Sequence, residues 1–536
     1  MFRVPSQHVS SQLVMYLLTF FLLVFTSAFL YVYWFFKKSH KYFDQHGIPY
    51  LKPHWFFGNM KDVVLMRKNI MEGFQEIYKK FEPHDFAGYY MLHKPTIMIR
   101  DPELIKQVLV KDFTYFHDRG MTISKEVEPL ADHLATLSGD EWKNLRIKLT
   151  SAFSSGKMKM MFPLVKKCAE DIKPTLTKFY QDAEAFDAKD LLARFTTDVI
   201  GSCAFGIDTH SLQDPDSEFR AMGKVIFQPR LRANIRLFFP NIPVFMIKLL
   251  GLELFPPQIN DYFTNIVKDM VKQREENNIT RGDFLDLLIA MKNHKKIERL
   301  KEQDDGDLEK FMSQIGDKYV KNDVEMTIEV MAAHCFLFFV GGFEGASNTI
   351  MFLLYELAEN PEIQNKLRNE ILTALDDNND EFTYEMMRKL PYLEMVISET
   401  LRKYPLAPIL LRKCSENYKI PNSEIIIEKG LSIMIPTLGL NYDTKYFEKP
   451  NEFYPEHFSA ERKLERHHFA YLPFGEGPRV CIAERFARMQ VIVGVIYLLK
   501  DFHFDLSPKT KKPLKLIPST GGLKVEGGIW LKCRPI

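Results

Sequence analysis

Residues 13 to 36, LVMYLLTFFLLVFTSAFLYVYWFF, form an apolar run without a single charge. As a helix it reaches about 36 Å at 1.5 Å per residue, enough to cross the hydrocarbon core of a bilayer. Lys37, Lys38 and Lys41 follow at once, against Arg3 alone before the run, a bias that places the bulk of the chain on the cytosolic side. Tyr31, Tyr33 and Trp34 stand where the headgroups would be. A cleaved signal peptide, cut near Thr26-Ser27-Ala28, is the rival, but the apolar run continues past Ala28. The pattern therefore predicts a membrane anchor over 1–36, with its helix at about 13–36. The segment HGIPYLKPHWFFGN carries Pro49, Pro53 and Gly58, which restrict the chain and keep the anchor helix from running on. It predicts a proline hinge over 37–60 and one globular domain over 61–536.

Beyond the hinge, helical spacing dominates. DPELIKQVLVKDF, KKCAEDIKPTLTKFYQDA, YFTNIVKDMVKQREENN, EVMAAHCFLFFVGGFEGASNTIMFLLYELAEN and PYLEMVISETLRKYP each place apolar residues on one helical face. Strand-like pieces are few and short: PTIMIR, SEIIIEKG, LSIMIP and LKVEGGIWLKCR. The fold class that follows is mainly α (α+β), with small peripheral β-sheets. Residues 293–323 are charged and poor in apolar groups, as a solvated loop or surface helix is. Residues 238–257, FFPNIPVFMIKLLGLELFPP, read either as buried core or as a lid that dips into the bilayer beside the anchor.

Charge narrows the partners. Lys and Arg (71) nearly cancel Asp and Glu (69), which argues against nucleic acid. The six cysteines form no CxxC pair and no zinc-knuckle spacing. Five of them read as small buried hydrophobes. Cys481 does not. It sits in FAYLPFGEGPRVCIAERFARM, between a glycine turn and the start of an apolar helix. A helix N-terminus stabilises negative charge, so the expectation is a thiol with a lowered pKa, fit to be a nucleophile or a metal ligand.

FGEGPRVCIA resembles the haem-binding peptide of the cytochrome P-450 family, Phe-x-x-Gly-x-Arg-x-Cys-x-Gly/Ala, with Phe474, Gly477, Arg479, Cys481 and Ala483 on its positions. Other stretches match in order: Glu399 and Arg402 in SETLRKYP, Trp142 and Arg146 in EWKNLR, Arg412 ahead of Cys414, and Gly341, Gly342 and Glu344 in LFFVGGFEGASNT. HLATLSGDEWKNLRIKLTSAFSSGKMKMMF is similar to the insect microsomal, xenobiotic-metabolising branch. The resemblance spans essentially the whole chain. It implies a haem (iron protoporphyrin IX) with Cys481 as the axial metal ligand, Trp142, Arg146, Arg412 and Arg479 at the propionates, and Phe474 and Gly477 shaping the cofactor loop. It also implies Glu344 and the neighbouring position 345 at the catalytic step, with Glu399 and Arg402 bracing the proximal side. Residues 61–536 become a haem-thiolate catalytic domain.

The implied activity is a monooxygenase that inserts one atom of O2 into lipophilic substrates, xenobiotics or endogenous lipids and hormones, using electrons from an NADPH-dependent reductase. Its implied place is the endoplasmic reticulum membrane, with the lipid bilayer as a partner. Two positions depart from the pattern. The family's proton-delivering alcohol would fall at 345, where this chain has Gly345; Ser347 is about 200° further round the helix and faces away. His457, in YPEHF, replaces an arginine that completes the bracing network, so weaker haem retention is expected. These departures keep two alternatives open: a haem-thiolate isomerase or dehydratase, which needs no proton delivery to dioxygen, and a haem-binding protein with lost or poorly coupled oxygenase activity. The substrate-contact regions that the resemblance implies, 114–135, 205–256, 337–348 and 405–412, are apolar and aromatic and specify a greasy pocket without naming its molecule.

Overall fold

The computed structural model describes residues 7–121, 123–228, 236, 242–293, 324–518 and 523–536. The expected charged stretch lies outside the described residues except for Asn293, and so do 238–241 of the proline-punctuated apolar segment.

The longest apolar pattern forms a core helix, Ile328–Glu359. Thr327 caps its start by accepting from the Val330 amide, and Asn360-Pro361 ends it. At 32 residues it spans about 48 Å. Helices Ala188–Ile200, Pro257–Asn277 and Glu484–Leu499 pack on it and form the main hydrophobic core. Length and hydropathy alone would pass this helix as a membrane span. Yet 67% of its apolar window is buried inside the protein, against 0% for the N-terminal helix, which makes Ile328–Glu359 a core helix and leaves the N-terminal helix the candidate span.

The anchor helix runs Gln7–Ser39, past the expected end at 36 and stopping well before Pro49. Its last turns meet the domain. Phe36 is buried and stacks on Phe56 at 5.1 Å, and Trp55 packs on Phe29 and Tyr33 at 5.9 and 5.8 Å. The proline segment is laid along the first strand: the Pro49 carbonyl accepts from the Gly88 amide at 2.7 Å, and the Asn59 amide donates to the Tyr90 carbonyl at 2.8 Å.

Four strands make the larger sheet: β1 (Phe86–Met91), β2 (Lys94–Ile99), β3 (Leu410–Lys413) and β4 (Ser432–Ile435), in the order β1-β2-β4-β3. β1 pairs antiparallel with β2, β2 runs parallel to β4 from Thr96 opposite Ser432, and β3 pairs antiparallel with β4 from Leu410 opposite Ile435. A second core cluster packs on both faces of this sheet, since consecutive residues such as Ile97, Met98 and Ile99 belong to it. A smaller sheet joins Phe502–Leu506, Trp530–Pro535 and the short Phe186–Asp187. The architecture is thus mainly helical with small sheets and an N-terminal apolar helix, as the periodicity predicts.

Candidate functional site

The segment ahead of Cys481 is a loop only glycine could build. Gly475 and Gly477 have φ of 78° and 73°. A Cβ on Gly477 would lie 2.0 Å from the Leu109 carbonyl oxygen, so backbone itself occupies that space. The Val480 amide donates to the Gly477 carbonyl and the Cys481 amide to the Phe474 carbonyl, both at 2.9 Å, which folds the chain back on itself. The helix that follows begins at Glu484, and Phe474 carries the Arg488 guanidinium 5.0 Å from its ring. Cys481, Phe474 and Ala483 all line one cavity of about 500 Å³.

The sequence argument for a lowered Cys481 pKa does not hold for the protein alone. Burial pushes the thiol up, and the Ala483 amide, Arg146 and Arg119 only partly oppose it. A local reading sees the helix terminus but not the depth at which the fold sets the sulfur. A cation at the sulfur would reverse the balance.

Beside the thiol stand four buried or half-buried arginines: Arg119, Arg146, Arg412 and Arg479. Arg412 is fixed by β3. The backbone of 115–120 adds itself to the same strand, with the Lys413 amide donating to the Asp118 carbonyl and the Ser415 amide to the Tyr115 carbonyl, both at 2.8 Å. That pairing sets Arg119 beside Arg412. Arg146 arrives on helix Gly139–Thr150, one turn from Trp142, whose ring lies 3.7 Å beneath the Arg479 guanidinium. Arg479 donates to the carbonyls of His117 (2.8 Å) and Leu137 (2.9 Å). Burial, and then repulsion among these cations, lowers Arg146 to about 10, Arg412 to about 9 and Arg479 to about 8. No carboxylate lines the cavity among the described residues; Asp118, just outside, reaches Arg479 at 3.5 Å. Nε of Arg412 has no hydrogen-bond partner. Such a cluster calls for a ligand with acidic arms at this end, and a metal at the sulfur would complete it. A haem, with its two propionates and its iron, fits both demands. Arg119 is the member sequence reasoning missed.

The core helix closes the opposite wall with Gly341, Gly342, Gly345, Ala346 and Thr349. Glu344 turns the other way. Lys189 reaches its carboxylate at 3.2 Å and Asn348 donates to it at 3.1 Å. Ser347 faces away too, as expected, donating to the Phe343 carbonyl at 2.7 Å and accepting from Lys189 at 2.8 Å.

On the sulfur side, Glu399 and Arg402 are wholly buried and bonded in parallel at 2.8 and 2.7 Å. The remaining Arg402 donors reach the carbonyls of Asn441, Pro450 and Glu452 at 2.9, 2.8 and 3.0 Å. His457, despite its shorter side chain, sets Nδ1 3.2 Å from both Glu399 oxygens and Nε2 against the Glu448 carbonyl. The network is therefore complete without the arginine expected at 457.

Comparison with known proteins agrees over nearly the whole chain. The family profile described as Cytochrome P450 matches residues 48–532. "Probable cytochrome P450 6a13" of Drosophila melanogaster is 39% identical over 96% of this chain and 99% of its own length. "Cytochrome P450 6a2" of the same fly is 37% identical over 97% and 100%, and "Cytochrome P450 6k1" of Blattella germanica is 37% identical over 95% of each chain.

Proposed function

Since this chain belongs to the cytochrome P450 family, and is thereby a haem-dependent monooxygenase whose cofactor is held by a cysteine thiolate, we propose Cys481 as that cysteine. The observation that carries the assignment is one thiol and four arginines lining the same cavity, which among the described residues no carboxylate lines. Arg119, Arg146, Arg412 and Arg479 would hold the propionates, with Trp142 as the platform under Arg479. Gly477 leaves room for the Leu109 backbone where a side chain would clash. Haem, when bound, supplies the iron at which dioxygen is activated. The chain's own part is to anchor the cofactor, keep water out and orient the substrate.

The substrate we infer is a lipophilic small molecule. Met121, Leu406, Ile409 and Leu410, together with Leu337 and Phe338 of the core helix, line the cavity and can select by shape and apolar contact. Entry from a membrane suits this wall. The described part of the lid segment carries helix Val244–Leu250, which buries Ile247 but leaves Phe245 (69%) and Leu249 (78%) exposed, so the segment is not buried core throughout. With the anchor helix, these residues would seat the protein on the endoplasmic reticulum membrane, cytosolic side, within reach of an NADPH-dependent reductase. Removing residues 1–39 is expected to leave part of the protein on sedimenting lipid vesicles. Adding Phe245→Asp and Leu249→Asp to that truncation releases the remainder; equal retention with and without the two aspartates would mean that the exposed helix does not touch lipid.

The overall reaction is RH + O2 + 2 electrons + 2 H⁺ → ROH + H2O. Reconstitution with a reductase, NADPH and isotopically labelled dioxygen tests it on a panel of alkylarenes, terpenes and fatty acids. One labelled oxygen in the product, dependent on NADPH, supports the reading. Turnover of an oxygenated substrate without reductase would replace it with the isomerase or dehydratase reading that Gly345 favours. NADPH consumed to give peroxide across the whole panel, with no product, would leave a haem protein without useful oxygenase activity.

Arg412→Leu gives opposite results on loaded and haem-free protein. Without haem the change removes a buried, repelled cation and raises the urea midpoint. With haem it deletes a charge-assisted hydrogen bond of about 1.5 kcal/mol, so cofactor affinity falls about ten-fold. A lower midpoint for the haem-free variant would mean that Arg412 serves the sheet instead of the cofactor.

A further inference from the structure

Among the described residues lining the cavity, one side chain carries a hydroxyl: Thr349. The other polar groups there are committed. Arg119, Arg146, Arg412 and Arg479 gather at the propionate end, and Arg488 pairs with Glu484 at 3.0 Å and with Glu394. His334 accepts the Leu134 amide on Nε2 at 3.3 Å and meets the Val330 carbonyl with Nδ1 at 2.6 Å, so both ring nitrogens are in use. Burial also lowers it to about 4, which keeps it neutral. Glu344 and Ser347 are bound to Lys189 on the other side of the core helix.

Thr349 stands one turn after Gly345, about 40° round the helix and hence on the same face. Its Oγ1 donates to the Gly345 carbonyl at 3.0 Å, and the residue is 4% exposed. That carbonyl is already inside a helix, where a second, side-chain donor adds little. The hydroxyl hydrogen can therefore be turned at small cost, and the residue that bears it lines the cavity. A Cβ at 345 would meet Leu406 Cδ1 at 3.3 Å, so a side chain there fits once that flexible leucine gives by a few tenths of an ångström.

We propose that Thr349 is the proton-passing hydroxyl of this cavity. The inference rests on the monooxygenase reading, in which each turnover consumes two protons at a site where Thr349 offers the one side-chain hydroxyl among the described lining residues. Oγ1 swings its hydrogen from the Gly345 carbonyl to a cavity water and gives up that proton. It then takes one from the next water. One O–H bond breaks and one forms at the same atom, and no electron moves.

Thr349→Val keeps the shape and deletes the hydroxyl; Thr349→Ser keeps the hydroxyl. In the reductase-coupled holoenzyme, the valine variant is expected to raise the peroxide released per NADPH about ten-fold or more, with haem content and the carbon-monoxide spectrum unchanged. The serine variant retains the original ratio. In a Gly345→Thr background the valine change adds nothing, because a hydroxyl one turn earlier takes over. A readout without turnover accompanies these: the resting absorption spectrum of the substrate-free holoenzyme shifts towards the water-free form in Thr349→Val and not in Thr349→Ser. Peroxide release within two-fold of the unsubstituted protein, or an equal rise in both backgrounds, would overturn the proposal and leave Thr349 a packing residue. Absence of a haem-thiolate spectrum in the unsubstituted protein is a different failure, which brings down the monooxygenase reading and this assignment with it.

Discussion

Membranes carrying the Cys481→Ala protein, reduced under carbon monoxide, are expected to lack the strongly red-shifted Soret band that the unsubstituted protein gives. The reason lies in what the cavity offers a metal. Cys481 is the one cysteine that lines it among the described residues; Cys203, Cys335, Cys414 and Cys533 are buried elsewhere, and Cys168 lies apart from it. His334, the histidine of that wall, holds both nitrogens in hydrogen bonds, to the Leu134 amide and the Val330 carbonyl. Burial raises the Cys481 thiol, so the charged sulfur is favourable only with a cation against it. Iron and sulfur thus stabilise each other, and deleting the sulfur removes the partner of the iron. Haem retained through gel filtration should fall by more than about ten-fold. Cys481→Ser, which keeps the size and a weaker ligating atom, should retain some haem with the band displaced. Persistence of the original band in Cys481→Ala would sink the assignment of this residue.

Much of this site was legible because its signals are local. The glycine turn, the cysteine and the apolar helix after it occupy one short stretch, and Gly477 is required by a clash with Leu109 backbone that its sequence setting already hints at. The core helix announced itself by period and length. What depends on distant pairing was not legible. Arg119 reaches the cluster because residues 115–120 attach to β3, some 300 residues later, and nothing near Arg119 encodes that. β1, FAGYYM, was passed over because four consecutive residues are buried on both faces, so the alternation that marks a half-exposed strand is missing. The Cys481 thiol was misjudged for the same reason, since burial is tertiary. Thr349 could have been found: i and i+4 share a helix face, and the search beyond Gly345 stopped at Ser347.

Arg402→Leu is expected to cost about 3–5 kcal/mol, the range for stripping one partner from a buried ion pair. Glu399 and Arg402 are both 0% exposed, and Arg402 also satisfies three carbonyls that would lose their donor. Burial pushes the Glu399 carboxyl up, but hydrogen bonds from Arg402 and then His457 outweigh it and hold the group below the ordinary carboxylate range. A depressed acid contributes stability that is present above its unfolded pKa and is lost as pH falls through the folded one. The unsubstituted protein should therefore weaken as pH drops below about 4.5, the region where free glutamates protonate. In Arg402→Leu the damage is a buried, poorly paired charge, and acid removes that charge. The gap between the two urea midpoints must narrow on acidification from neutral pH. His457→Leu should cost less than Arg402→Leu, because Glu399 keeps its paired bonds to Arg402 and the Tyr454 amide at 2.9 Å. A gap that stays constant or widens with acid, or an Arg402→Leu loss under about 1 kcal/mol, would show that the pair behaves like a solvated one. It would also show that the proximal wall beneath Cys481 is held by packing instead of charge.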